Sequence, residues 1–269
     1  MRLFAAALLM FAGCTADDTD VTDTDVADAD TDADTDTDTD SDTDTDTEAP
    51  LGASLTGTVL DADGKPVAAR VNVCRDLCKT KSTDANGKFT FDDIEPWTAS
   101  FYVIPTANPT PYSTPMVPLT LVKGPRTLDV LMPRFKSTAL PATHKWLSVS
   151  EGLDLDIGLD LLDEPTIGEI GDVVTVSRLA PEDALPIELT GTALDVYYIG
   201  PFEIESEAGV AVRLTETYGL AEGDKVELYA SSLPTEYKWL PCGTLTLTGG
   251  VWTGTATLPI LTTLVVVKP

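Results

Sequence analysis

Leu55-Thr-Gly57-Thr-Val59-Leu-Asp61-Ala-Asp-Gly64-Lys-Pro66-Val-Ala-Ala-Arg-Val71-Asn-Val73-Cys74 carries a period, a reversal and the period again. Leu55, Gly57 and Val59 alternate with Thr56, Thr58 and Leu60, the spacing of a half-buried strand. Asp61 to Pro66 is turn chemistry. Asp can accept bonds from its own local backbone, Gly64 allows positive φ, and Pro66 stops the pairing. Val71 and Val73 then resume on one face. Asp84-Ala-Asn-Gly87 closes a second hairpin before Lys88-Phe-Thr-Phe91. Strand-like runs follow at 98–104, 119–122 and 127–132, and helical periodicity is absent. Residues 51–135 therefore read as a β-sandwich.

The chain continues in the same manner. Residues 136–140 read as a short junction. Beyond them Leu153-Asp-Leu-Asp-Ile157 alternates cleanly, and strands are expected at 172–177, 193–198, 200–204, 210–214, 219–229, 238–243, 250–252 and 262–267. The apolar run 258–267 is too short and too rich in Thr and β-branched residues to span a bilayer, so it reads as a buried strand. The fold class is all-β, with two tandem β-sandwich domains at 51–135 and 136–269.

Gly57-Thr-Val-Leu-Asp61-Ala-Asp-Gly64-Lys-Pro66 and Ser82-Thr-Asp84-Ala-Asn-Gly87-Lys-Phe89-Thr-Phe91 together resemble the carboxypeptidase regulatory-like domain. That family has a transthyretin-like sandwich and is usually non-catalytic, so the resemblance implies a structural or binding module. The chain departs from the family where Glu95-Pro96-Trp97-Thr98 stands in place of Pro-Gly before a Tyr strand. In the second half, Gly200-Pro-Phe202, the run 210–214, Gly219 through Tyr229, and Trp239 with Gly243 resemble a ZU5-type sandwich. Some members of that family cleave themselves at a His-Phe-Ser type site. Leu261-Thr-Thr-Leu264 with no histidine beside it disfavours that here.

The N-terminus sets the location. Arg2 precedes an apolar run, 3–12, that is too short for a mature transmembrane helix. Residues 1–13 read as a signal peptide. Phe11-Ala-Gly-Cys14 resembles the bacterial lipobox, with Phe11 where Leu is usual. That resemblance implies lipidation (palmitate among the acyl chains) at Cys14 and stable attachment to the membrane. The residue after the cysteine is Thr15 rather than Asp, which favours the outer membrane. Residues 14–50 hold fifteen Asp, one Glu and no basic residue, with Asp and Thr alternating from Asp30 to Thr47. Like charges and the lack of apolar residues predict a disordered, extended acidic linker. An ordered calcium site needs converging ligands and a turn glycine, and the tract has no glycine.

Charge and rare residues exclude several function classes. The net charge is −27; without those sixteen carboxylates and Arg2 it is −12. An acidic surface disfavours nucleic acid as a partner. The chain has one histidine, His144, in a strand-like run with no catalytic motif, so zinc-hydrolase and His-dependent nucleophile chemistry is not expected. No metal or cofactor is expected. Cys74-Arg-Asp-Leu-Cys78 lies between two strand-like runs in an exported chain, so a disulfide pinning the turn is expected. Cys242 is then left as a buried thiol, with a long-range bridge to it as the alternative. Asp154, Asp156, Asp160, Asp163 and Glu164 form a local acidic cluster that reads as a wet strand face rather than a glycosidase pair. Tyr112, in the Pro- and Thr-rich loop 105–118, and Trp239 and Trp252 near strand ends are the candidate ligand contacts, against packing roles for each. The expectation is a non-enzymatic, lipid-anchored envelope protein with a structural, adhesive or ligand-binding role. Its alternatives are a glycan-binding protein and an accessory subunit docking on an envelope transport or hydrolase system.

Overall fold

The two Asp-x-x-Gly-Lys turns fold identically. Asp61 Oδ1 accepts the backbone N–H groups of Asp63 (3.0 Å) and Lys65 (2.9 Å), and Asp84 Oδ1 accepts those of Asn86 and Lys88, both at 2.8 Å. Gly64 and Gly87 sit at φ 74° and 77°, where a Cβ is unwelcome. These turns belong to a computed structural model that describes residues 52–163 and 171–269. The described chain is all-β, with one short 3₁₀ turn at Leu159–Leu161.

The first half packs two sheets face to face. One carries β1 (Ala53–Asp61), β4 (Lys88–Ile94), β7 (Gly124–Thr127) and β8 (Val130–Met132); the other has the order β3 (Cys78–Ser82), β2 (Ala69–Cys74), β5 (Thr98–Pro105), β6 (Met116–Thr120). Strand β1 pairs antiparallel with β4 and parallel with β7 and then β8. The run expected as one strand at 127–132 is split because β1 changes partner at Gly57. There the Leu128 N–H donates to Thr56 O (2.8 Å), and the Asp129 carboxylate accepts the Thr58 N–H at 2.9 Å. A Cβ on Gly57 would run into the Leu128 carbonyl. Leu55, Val59, Phe89, Phe91, Val71, Phe101 and Val117 fill the core between the sheets.

The second half is one ten-stranded sheet. Its elements are β9 (Lys136–Ala139), β10 (Lys145–Ser150), β11 (Leu153–Ile157), β12 (Val173–Leu179), β13 (Thr192–Gly200), β14 (Ile204–Leu214), β15 (Lys225–Ser231), β16 (Trp239–Thr248), β17 (Val251–Leu261) and β18 (Thr263–Lys268). The order is β10-β11-β14-β17-β16-β15-β18-β13-β12-β9. The sheet curls around one core because β17 serves both sides. Its first part pairs with β16 and its last part with β14. The end strands β9 and β10 approach one another, and Leu155, Val174, Tyr197, Val212, Leu228 and Leu264 lie inside.

Two expectations are corrected. Residues 136–139 form strand β9, in register with β12, rather than a junction. The apolar run 258–267 is the end of β17 and most of β18, interrupted at Thr262. Its hydroxyl donates to Ser231 O (2.7 Å), and its carbonyl accepts the Ile199 N–H at 3.0 Å.

The halves share buried surface. Leu185, in the connection between β12 and β13, is 3 % exposed and belongs to the first half's core. Glu188 accepts the Thr120 N–H (2.8 Å) and faces Arg126. The Met116 N–H donates to Thr263 Oγ1 (3.1 Å), and the Ser113 and Ser177 hydroxyls bond at 2.6 Å. A third apolar cluster of Leu179, Val196, Tyr198, Val265 and Val267 covers the other face of the second sheet, with Leu131 and Trp239 against it. All described residues fall in one compact unit.

Candidate functional site: an apolar pocket under the disulfide hairpin

Strands β2 and β3 form a tight hairpin in which Cys74 and Cys78 stand directly opposite. Their sulfurs are bonded, with the Cα atoms 4.0 Å apart. The closure pushes residues 75–77 out as an apex, and Leu77 is 88 % exposed there. Beneath the hairpin, Val73 from one sheet and Ile94 from the other mark the end of the sandwich core. A pocket of about 430 Å³ lies there, walled also by Arg75, Leu77, Lys79 and Trp97. The Arg75 guanidinium stacks on Trp97, 4.4 Å from the ring centre, with Tyr237 on the second half 5.8 Å away. Lys79 Nζ donates to Asp93 O at 2.6 Å, tying β3 to the facing sheet.

The lining is predominantly apolar, with two cations and Asp76 at the rim. The pocket's one sulfur, from Cys78, is in the disulfide. Such a lining suits an apolar body oriented by charge at the rim. Trp97 and Arg75 are not marked in the sequence because they lie far apart in the chain and meet only once β2 and β5 pair. The signal present in the sequence is an apolar Leu77 at the apex of an otherwise polar turn.

The candidate contacts Tyr112, Trp239 and Trp252 lie at separate places. The Tyr112 hydroxyl donates to Asp61 Oδ2 at 3.1 Å, and its ring sits 5.4 Å from the Arg134 guanidinium. It borders a 160 Å³ cleft shared with Ser113, Phe135, Gly200 and Phe202. The Asp61 carboxyl is held below its ordinary value, first by the Lys65 N–H it accepts. Trp239 is half-buried against the first and third apolar clusters it bridges. Trp252 is 7 % exposed; its indole N–H donates to Glu216 O (2.7 Å) and its ring lies beside Tyr218. Cys242 is an unbridged buried thiol, pushed up to about 12 by burial.

The acidic run is only partly a wet face. Asp154 is 8 % exposed, and Arg213 Nη2 and Nε donate to its Oδ2 at 2.6 and 3.0 Å. Asp160 accepts the His144 backbone N–H (2.7 Å) and faces its Nδ1 at 2.9 Å. That contact holds the His144 imidazole above its ordinary value and Asp160 below its own. Asp163 accepts the Glu207 N–H. Glu164, the signal peptide, Cys14 and the acidic linker lie outside the described residues. Among the described residues, no helix is long and apolar enough to cross a membrane.

No protein-family model matches the chain, and no curated protein sequence matches it either. Among solved structures it is similar to a candidate carbohydrate-binding protein from Bacteroides uniformis ATCC 8492. That match has 12 % identity over 80 % of this chain and 79 % of the other, with a TM-score of 0.26. It is also similar to the major pilin subunit of Bacillus cereus, at 9 % identity over 77 % and 85 %, with a TM-score of 0.23. At these identities and scores neither protein's role transfers to this chain.

Proposed function

We propose that this chain is a non-catalytic binding module held at the cell envelope by a lipid on Cys14 and presented on its acidic linker. The ligand is a small molecule or chain end with an apolar body and an anionic group. The observation that carries this reading is the pocket under the hairpin, where Val73, Ile94, Leu77 and Trp97 supply the apolar walls and Arg75 and Lys79 the cations. Two further facts support a binding role over turnover. The sole histidine is exposed and engaged with Asp160, and the cysteines of the described residues are bridged or buried. The outer-membrane location rests on the lipobox resemblance and on Thr15.

A titration with 8-anilinonaphthalene-1-sulfonate, a ring system carrying one anionic group, tests the pocket. Saturable enhancement of probe fluorescence at one site, weakened about tenfold or more in Trp97→Ala, supports the proposal. Enhancement that is absent, or unchanged in Trp97→Ala, rejects it. Metabolic palmitate labelling that disappears in Cys14→Ser supports the anchor, and labelling that persists rejects Cys14 as its site.

A further inference from the structure

The bridge between Cys74 and Cys78 joins two residues of unequal exposure. Cys74 is fully buried on β2, inside its sheet, whereas Cys78 is exposed on β3. Strand β3 ends that sheet, and among the described residues it pairs with β2 alone. In thiol–disulfide exchange a thiolate attacks one sulfur from the side opposite the other, so access decides which sulfur is taken. For Cys78 that side is the open edge of the sheet. For Cys74 it lies toward β5, where the fully buried Ser100 stands opposite in register.

A hydroxyl completes the arrangement. Tyr102, half-buried on β5, places its hydroxyl 3.5 Å from Cys74 Sγ and 3.8 Å from Cys78 Sγ. A bridged sulfur carries no proton, so the hydroxyl is the donor in both contacts. Burial, then the Glu203 carboxylate, holds the Tyr102 phenol above its ordinary value, so it stays protonated near neutral pH. Its ring packs 5.7 Å from Phe202. A thiolate released at buried Cys74 would be costly without a partner, and this hydroxyl supplies one. The loop closed by the bridge has a sequence separation of only 4. The stabilisation a disulfide gives falls with loop length, so the sheets can stay paired with the bridge open.

We propose that Cys78 is a thiol-exchange site, attacked at the free sheet edge by a small-molecule thiol while the protein stays folded. In the first step the thiolate bonds to Cys78 Sγ and the bond between the two cysteine sulfurs breaks. Its electron pair leaves on Cys74 Sγ, which accepts the Tyr102 hydroxyl and then takes a proton from solvent. A second thiolate attacks the small-molecule sulfur of the mixed disulfide and releases Cys78. Two electrons pass from two thiols to the bridge, which ends as two cysteine thiols beside one small-molecule disulfide. The exchange needs only the bridge, the hydroxyl and solvent, and does not depend on the pocket having a ligand.

The test incubates the whole native protein with millimolar reduced glutathione near neutral pH, quenches samples in acid and alkylates them with N-ethylmaleimide. Trypsin cuts after Arg70, Arg75 and Lys79, which puts the two cysteines in separate peptides, Val71–Arg75 and Asp76–Lys79. The bridge is expected to open over minutes to hours with the far-ultraviolet spectrum unchanged. Early samples should carry glutathione on Asp76–Lys79 and maleimide on Val71–Arg75. Tyr102→Phe, which keeps the ring beside Phe202, should slow the opening severalfold at an unaltered melting temperature. A bridge that opens only when denaturant unfolds the protein, or glutathione found mainly on Cys74, overturns the proposal. Opening as fast in Tyr102→Phe as in the native chain overturns the part assigned to Tyr102.

Discussion

Arg178 holds together a charged cluster around the buried Asp195 carboxylate. Its Nε lies 2.7 Å from Asp195 Oδ2, its Nη2 is 2.6 Å from Glu216, and the Tyr197 hydroxyl donates to Asp195 at 2.8 Å. The Asp195 side chain is only 2 % exposed. Removing one partner of a buried pair leaves an uncompensated charge, which costs about 3–5 kcal/mol. Arg178→Ala should lose about that much in urea unfolding, whereas Lys65→Ala, which breaks an exposed pair, should change it by at most about 0.5 kcal/mol. His144 offers a second check at this scale, because it gives the chain's only imidazole signal. Asp160 raises its folded value above the ordinary 6.5. Its contribution to stability is therefore complete below about pH 6.5 and is lost as pH rises through the raised value. Asp160 moves the other way: its contribution is present above its ordinary 3.8 and lost as pH falls through the depressed one. The NMR midpoint of His144 should lie above 6.5 in the native protein and fall toward 6.5 in Asp160→Asn.

The hairpin β2–β3 and the partner change in β1 are where local chemistry shapes whole elements. Closing a loop this short with a disulfide is worth about 2 kcal/mol on chain-entropy grounds. Cys74→Ser with Cys78→Ser should lower stability by about that amount and also slacken the pocket wall, weakening probe binding. Gly57→Ala should cost about 1–3 kcal/mol through overpacking against the Leu128 carbonyl. Equilibrium unfolding measures both. Elements were legible wherever one face is buried and the other wet. β4 alternates in burial over Lys88 to Phe91, and β11 keeps Leu153, Leu155 and Ile157 inward. β9 was not legible: its residues Lys136-Ser-Thr-Ala139 are mostly exposed and carry no apolar period. β18 was legible as the last strand at 262–267, but the end of β17 was not legible apart from it, because apolar residues cover both faces of β18 and no alternation marks its start. The cysteine pair was readable because the chemistry is local. The pocket was not, because Trp97, Arg75 and Ile94 converge only after two sheets close.

At the scale of the molecule, the connection between β12 and β13 decides how the halves behave. Leu185 fills the first half's core, Glu188 clasps Thr120 and Arg126, and the third apolar cluster lies between Leu131 and the second sheet. A junction this apolar couples the stability of its sides. Calorimetric unfolding of residues 52–269 should show one transition whose calorimetric and van't Hoff enthalpies agree. Leu185→Asp should destabilise Trp97 and Trp252 environments together, and separate melting of the two halves would refute the coupling. At the apex of the disulfide hairpin Leu77 stays exposed.

Binding at that end is the claim on which the functional reading stands, and amide chemical-shift mapping tests it most directly. On titration with the naphthalenesulfonate probe, shifts should concentrate at Val73, Leu77, Lys79, Ile94 and the Trp97 indole. Shifts scattered over the surface, or centred elsewhere with these signals unmoved, would contradict it.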